Sequence, residues 1–82
     1  MNGRVEIDFA MAEGAVLRML GLVERRGFDI CGISMAETNG HGSLALAVRP
    51  RDASRSLDVL AGHLRRLHDV RQVSCSTAAS DS

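Results

Sequence analysis

Val16, Met19, Leu20 and Val23 recur at the spacing of one helical face, and the run that carries them is stopped by Gly27 and followed at once by the apolar alternation of Phe28 and Ile30. A stripe-bearing helix joined through one glycine to a one-faced strand leaves a short chain few architectures. The helix is expected from about Glu13 to Arg26. Glu13 falls in its first turn and Arg25 and Arg26 in its last, which suits the macrodipole, while Arg18, Arg25 and Arg26 face water or a partner.

The rest of the pattern repeats the unit. Val5, Ile7 and Phe9 alternate with Arg4, Glu6 and Asp8 as a half-buried strand before the helix. After it, Phe28, Ile30, Ile33 and Met35 form a second strand whose apolar phase slips near Gly32, so a bulge is expected there. The cluster from Thr38 to Gly42 reads as a hairpin, and Leu44, Leu46 and Val48 as a third strand closed by Pro50. Asp52 or Ser54 is expected to cap a second helix with the stripe Leu57, Leu60, Ala61, Leu64 and Leu67, before a last strand from Val70 to Cys75.

Strand, helix, strand, strand, helix, strand predicts an α+β ferredoxin-like βαββαβ two-layer sandwich: a four-stranded antiparallel sheet with both helices on one face. Right-handed crossovers put the first and third strands in the middle and the second and fourth at the edges. Residues 3–76 are expected to form the domain, and residues 77–82 a disordered tail with too little to bury. On this plan Cys31 and Cys75 sit on opposite edges, too far apart to bridge within one chain.

At 82 residues, such a domain buries only about 60 to 65% of its unfolded surface, so an oligomer is expected. Apolar residues are 45% of the chain and charged residues 24%, too apolar for disorder. Ten basic residues, all arginine and never more than two in a row, balance ten acidic ones. That is not the footprint of a nucleic-acid or membrane-surface binder. No apolar run approaches the roughly 20 residues of a membrane span, and no apolar leader opens the chain, so a soluble, cytoplasmic protein is expected.

The run Gly14-Ala-Val-Leu-Arg-Met-Leu-Gly-Leu-Val-Glu-Arg-Arg-Gly-Phe-Asp-Ile30 resembles an ACT domain, most closely that of the small regulatory subunits of acetolactate synthase. Those subunits show a glycine, an aliphatic pair, a helix, and then Arg-Gly-aromatic-Asn-Ile. The likeness continues through Ser34-Met-Ala-Glu37 and covers roughly Arg4 to Cys75; the short class of subunit, little more than one ACT domain, matches best in length. It implies a non-catalytic homodimer with a continuous sheet. It further implies docking on the thiamine-diphosphate-dependent large catalytic subunit of acetolactate synthase, which it activates for branched-chain amino-acid synthesis.

In family members that sense valine, the effector lies between the loop entering the first helix of one chain and the start of the second strand of the other. Carried over by position, the resemblance implies a branched-chain amino-acid site of Met11, Gly14 and Ala15 facing Asp29 and Ile30 of a second copy. Met11 stands where an Asn or Asp usually opens the loop, Asp29 where an Asn is usual, and Glu13 adds a negative charge. The residues alone offer a parallel argument: helix-start N–H groups favour an anion, Gly14 permits close approach, and Asp29 can accept from an ammonium group. A stand-alone amino-acid sensor is the alternative reading.

No catalytic residue, metal site or cofactor is expected. His63 and His68 lie five apart, not at the four-residue spacing that puts two imidazoles on one helical face, and His41 has no carboxylate or cysteine near it in sequence. No serine stands in a nucleophile elbow. RNA-binding domains of this topology need aromatics on the open sheet face, whereas Phe9 is in phase with the core. The pairs Arg25-Arg26 and Arg65-Arg66 are first of all dipole-matching surface residues, and second candidates for contacting an acidic patch on a larger partner.

Overall fold

The computed structural model describes residues 2–77. The elements run β1 (Gly3–Ala10), α1 (Ala15–Arg25), β2 (Phe28–Thr38), β3 (His41–Pro50), α2 (Leu57–Arg65) and β4 (Val70–Thr77). The sheet is antiparallel in the order β2-β3-β1-β4, so the ferredoxin-like plan and both edge assignments hold. β4 continues two residues past Cys75 to Thr77; the rest of the expected tail, residues 78–82, lies outside the described residues.

Strict alternation gives β1 and β3 their roles. Val5, Ile7 and Phe9 of β1 and Leu44, Leu46 and Val48 of β3 are fully buried on one face. Ala15, Met19, Leu22 and Val23 of α1 and Leu60, Ala61 and Leu64 of α2 close over them. The α1 stripe is thus turned slightly from the expected one. Val16 and Leu20 sit on its shoulder, packed against the core but only partly buried.

Three details depart from the sequence reading. Glu13 is not in the first turn of α1, because Gly14 is left-handed at φ 79° and the helix begins only after it. Asp52 and Ser54 do not cap α2; Asp52 Oδ1 accepts from the backbone N–H of Ser54 at 3.0 Å and from its hydroxyl, closing a turn of their own. Ser56 takes the cap instead, its hydroxyl accepting from Val59 N at 3.4 Å.

The hairpin is a two-residue turn, with Asn39 at φ 52° and Gly40 at φ 82°, the paired positive angles of the tight turn that matches strand twist. Counting outward, the β2–β3 register slips between Ile30 and Gly32, which confirms the expected bulge and leaves Cys31 as the extra residue. A second irregularity, between Asp8 and Phe9 where β4 pairs with β1, was not legible in the pattern.

Candidate functional site

Two short segments carry the residues expected to hold an effector, and they occupy opposite ends of the sheet. The loop before α1 lies at the hairpin end: Met11 N donates to Gly40 O at 2.9 Å, and Ala10 N to Asp69 O at 2.8 Å. Asp29 and Ile30 begin β2, one strand length away, about 30 Å at roughly 3.3 Å per residue. Within one chain, Met11, Gly14 and Ala15 therefore do not meet Asp29 and Ile30. An antiparallel partner on β2 would bring the start of its own strand to the hairpin end of this one.

At the loop, Gly14 caps α1 with no side chain, and its carbonyl accepts the first helical bond, from Arg18 N at 2.9 Å. Ala15 is buried and its N–H is already bonded to Ala12 O at 3.0 Å, so it belongs to the core. Met11 is 36% exposed. Arg18 was not singled out as a site residue, yet it covers this turn. Its guanidinium donates to Glu13 O at 3.3 Å and pairs with Asp69, tying the loop to the turn before β4. A Cβ on Gly14 would come within 3.0 Å of Arg18 Nη1, so substitution there strains the backbone and displaces a cation together.

Asp29 is not free. Its Oδ1 accepts from Arg51 Nε at 2.8 Å and its Oδ2 from Arg49 Nη2 at 3.4 Å. Arg51 also donates through Nη1 to Glu24 O at 3.0 Å, while its N–H bonds Gly27 O at 2.8 Å, so one arginine caps the end of α1 and clasps the start of β2. Hydrogen bonds from Arg51 first and Arg49 second hold the Asp29 carboxyl below the usual carboxylate range. Ile30, partly buried on the core face, lines a shallow groove with Leu17, Leu20, Gly21, Glu24 and Ile33.

The clasp has a pH signature. A carboxyl whose folded pKa is depressed contributes in full above its unfolded value of about 3.9, and that contribution disappears as pH falls through the lower folded value. Urea unfolding of wild type and Asp29→Asn should therefore differ at pH 7, wild type the more stable, and differ less at a pH below the unfolded value of about 3.9. A gap of equal size at both pH values would contradict the clasp.

A larger concavity, of about 520 Å³, lies at the same end of the sheet as Asp29, opposite the hairpin, between the start of α2, the start of β1 and the end of β4, over Phe28, Leu57 and Pro50. Cys75 opens onto it, with its thiol 3.7 Å from Asp58 Oδ1. Burial first and the neighbouring Asp58 second push that thiol up, away from the thiolate form that reacts.

The family model for the ACT domain matches residues 11–73, from the loop at Met11 to the middle of β4. No curated protein matches the chain. Solved structures similar to it include the ACT domain from GTP pyrophosphokinase of Chlorobium tepidum, with TM-score 0.78 and 17% identity over 93% of this chain and 97% of that one. An ACT domain protein from Streptococcus pneumoniae gives TM-score 0.78 and 16% identity over 96% and 91% of the two chains. The small subunit of acetolactate synthase from Thermotoga maritima gives 0.75 and 23%, over 92% of this chain but 47% of that subunit. At these identities the structural likeness is one of fold. With the family model spanning the loop, both helices, β2, β3 and the first half of β4, the chain belongs to the ACT domain family, a family of regulatory rather than catalytic domains.

Proposed function

We propose that the chain is a non-catalytic accessory subunit of acetolactate synthase, acting in the cytoplasm, which pairs with itself and activates the thiamine-diphosphate-dependent large subunit. The observation that carries the pairing is an uncovered apolar strip along a free strand edge. Ile33 and Met35 point to the same side as their cross-strand partners Leu46 and Leu44, yet they remain 56% and 46% exposed because neither helix reaches over that stretch of β2. Leu17, 75% exposed on α1, borders the same groove. Edge N–H and C=O groups beside such a strip favour a second copy, whose own β2 extends the sheet and whose α1 covers Ile33.

The acetolactate synthase reading is supported by the run from Gly14 to Ile30 and by the fold likeness to the Thermotoga maritima small subunit. Asp29, already neutralised by two arginines, favours the accessory role over the amino-acid sensor, since an effector's ammonium group would meet a carboxylate whose charge is shared with both. Gel filtration with the large subunit and calorimetric titration with valine, leucine and isoleucine separate the two. Co-elution with little or no saturable heat is expected; saturable heat without co-elution would replace this reading with the sensor.

A further inference from the structure

The outer face of α2 and the end of α1 present an apolar centre ringed by guanidinium groups, away from the β2 edge. Val59 is 59% exposed and lines a cleft with Arg26 and Arg55. Gly62, His63 and Arg66 follow Val59 along the same side of the helix, three, four and seven residues on. Arg26 and Arg66 have no ion-pair partner among the described residues. Arg65, the other member of its pair, is spent inside the fold on Val73 O at 3.1 Å.

Asp52 pairs with Arg55 at 3.5 Å and with Ser54, and Asp58 turns to Cys75, which leaves Arg26 and Arg66 as the cations of this face without an ion-pair partner among the described residues. The potential registers on His63, whose imidazole is held below its ordinary value by partial burial first and then by Arg26 and Arg66. The chain as a whole carries no net charge, so the positive field is local.

Gly62 supplies a second, separate observation. It sits inside a nine-residue helix, its φ is not positive, and a Cβ built on it meets nothing within 4 Å. Alanine would stabilise the helix there, and nothing among the described residues demands glycine. What glycine does provide is bare backbone beside Val59, where another molecule's side chain can lie close.

We propose that this face docks an acidic segment of a protein partner, one that brings carboxylates to Arg26 and Arg66 and seats an apolar side chain on Val59 and Gly62. The apolar centre favours protein over nucleic acid, as does the burial of Phe28, the aromatic at the floor of the cleft, which at 2% exposure offers no face for stacking. Naming that partner as the synthase large subunit rests on the function proposed above; the acidic, apolar-anchored chemistry does not.

Two arms keep those claims apart. In the first, large-subunit binding should fall roughly tenfold or more in the double variant Arg26→Glu, Arg66→Glu, stay unchanged in the control Arg71→Glu, and weaken with salt. Gly62→Ala should raise Tm by about 4 °C while weakening binding roughly fivefold, the reverse of what loss of fold would do. In the second, an amphipathic peptide of Glu and Leu should give saturable amide shifts at Arg26, Val59, Gly62 and His63 that disappear in the double variant. Peptide shifts without large-subunit binding would keep the docking face and remove the synthase as its partner. Large-subunit binding that ignores the substitutions at Arg26, Arg66 and Gly62 would likewise remove the synthase as the partner of this face. Peptide shifts that ignore the double variant or do not occur at all, or saturation by a DNA duplex alone, would each overturn the docking face.

Discussion

An Ile33→Glu chain should stay folded and lose self-association by about a hundredfold or more. Ile33 is already 56% exposed, so in the single chain the change falls in the range of surface substitutions, within about 0.5 kcal/mol. In a two-fold pair the substitution acts twice, removing roughly 1 to 2 kcal/mol of side-chain burial per copy, since Ile33 is already partly covered, and setting carboxylates into a closed apolar seam. Sedimentation equilibrium reads the result. Unchanged association would mean that β2 and α1 are not the pairing surface, and lost helicity in the variant would mean that Ile33 supports the fold of the single chain.

Phe9→Ala carries the largest expected cost to stability, about 3 to 5 kcal/mol, a large part of what a domain of this size possesses. Phe9 is fully buried in a central strand and fills the space left by its cross-strand partner. A Cβ on Gly42 would come within 2.4 Å of Phe9 Cζ. That geometry predicts a sign reversal. Gly42→Val should cost roughly 1 to 3 kcal/mol in the wild-type background through overpacking, yet restore part of the loss in the Phe9→Ala background. Denaturant unfolding of the four chains gives the coupling directly, and additive effects would show that the two positions do not share that space.

Much of this fold is legible because each element buries one face at its own period. Val5, Ile7 and Phe9, then Leu44, Leu46 and Val48, fix two central strands, and the Asn39-Gly40 turn between apolar runs fixes the antiparallel pairing of β2 with β3. The cap of α2 is not legible by residue type, because Asp52, Ser54 and Ser56 all suit the position. Tertiary anchoring decides: Arg51 is bound to Gly27 and Asp29, and the turn that Asp52 forms with Ser54 delays the helix until Ser56.

The candidate site divides along the same line. The Asp29–Arg49 pair follows from counting strand register outward from the hairpin, once the extra residue at Cys31 is allowed. Arg51 cannot be found that way, since its side chain crosses from the end of β3 to a carbonyl of α1. Ala15 belongs with Met19 and Val23 at spacings of four, which marks it as core before any ligand role is considered. Ile33 and Met35 read as core by alternation. Only the reach of the helices, a property of the assembled layers, leaves them uncovered.

Acetolactate formation by the synthase large subunit, followed while this chain is added at fixed enzyme concentration, tests the proposed role most directly. A rate that rises and saturates with added chain, and that fails to rise with the Ile33→Glu chain, is the expected result. A rate that stays flat across the titration, with the large subunit migrating alone, would contradict it.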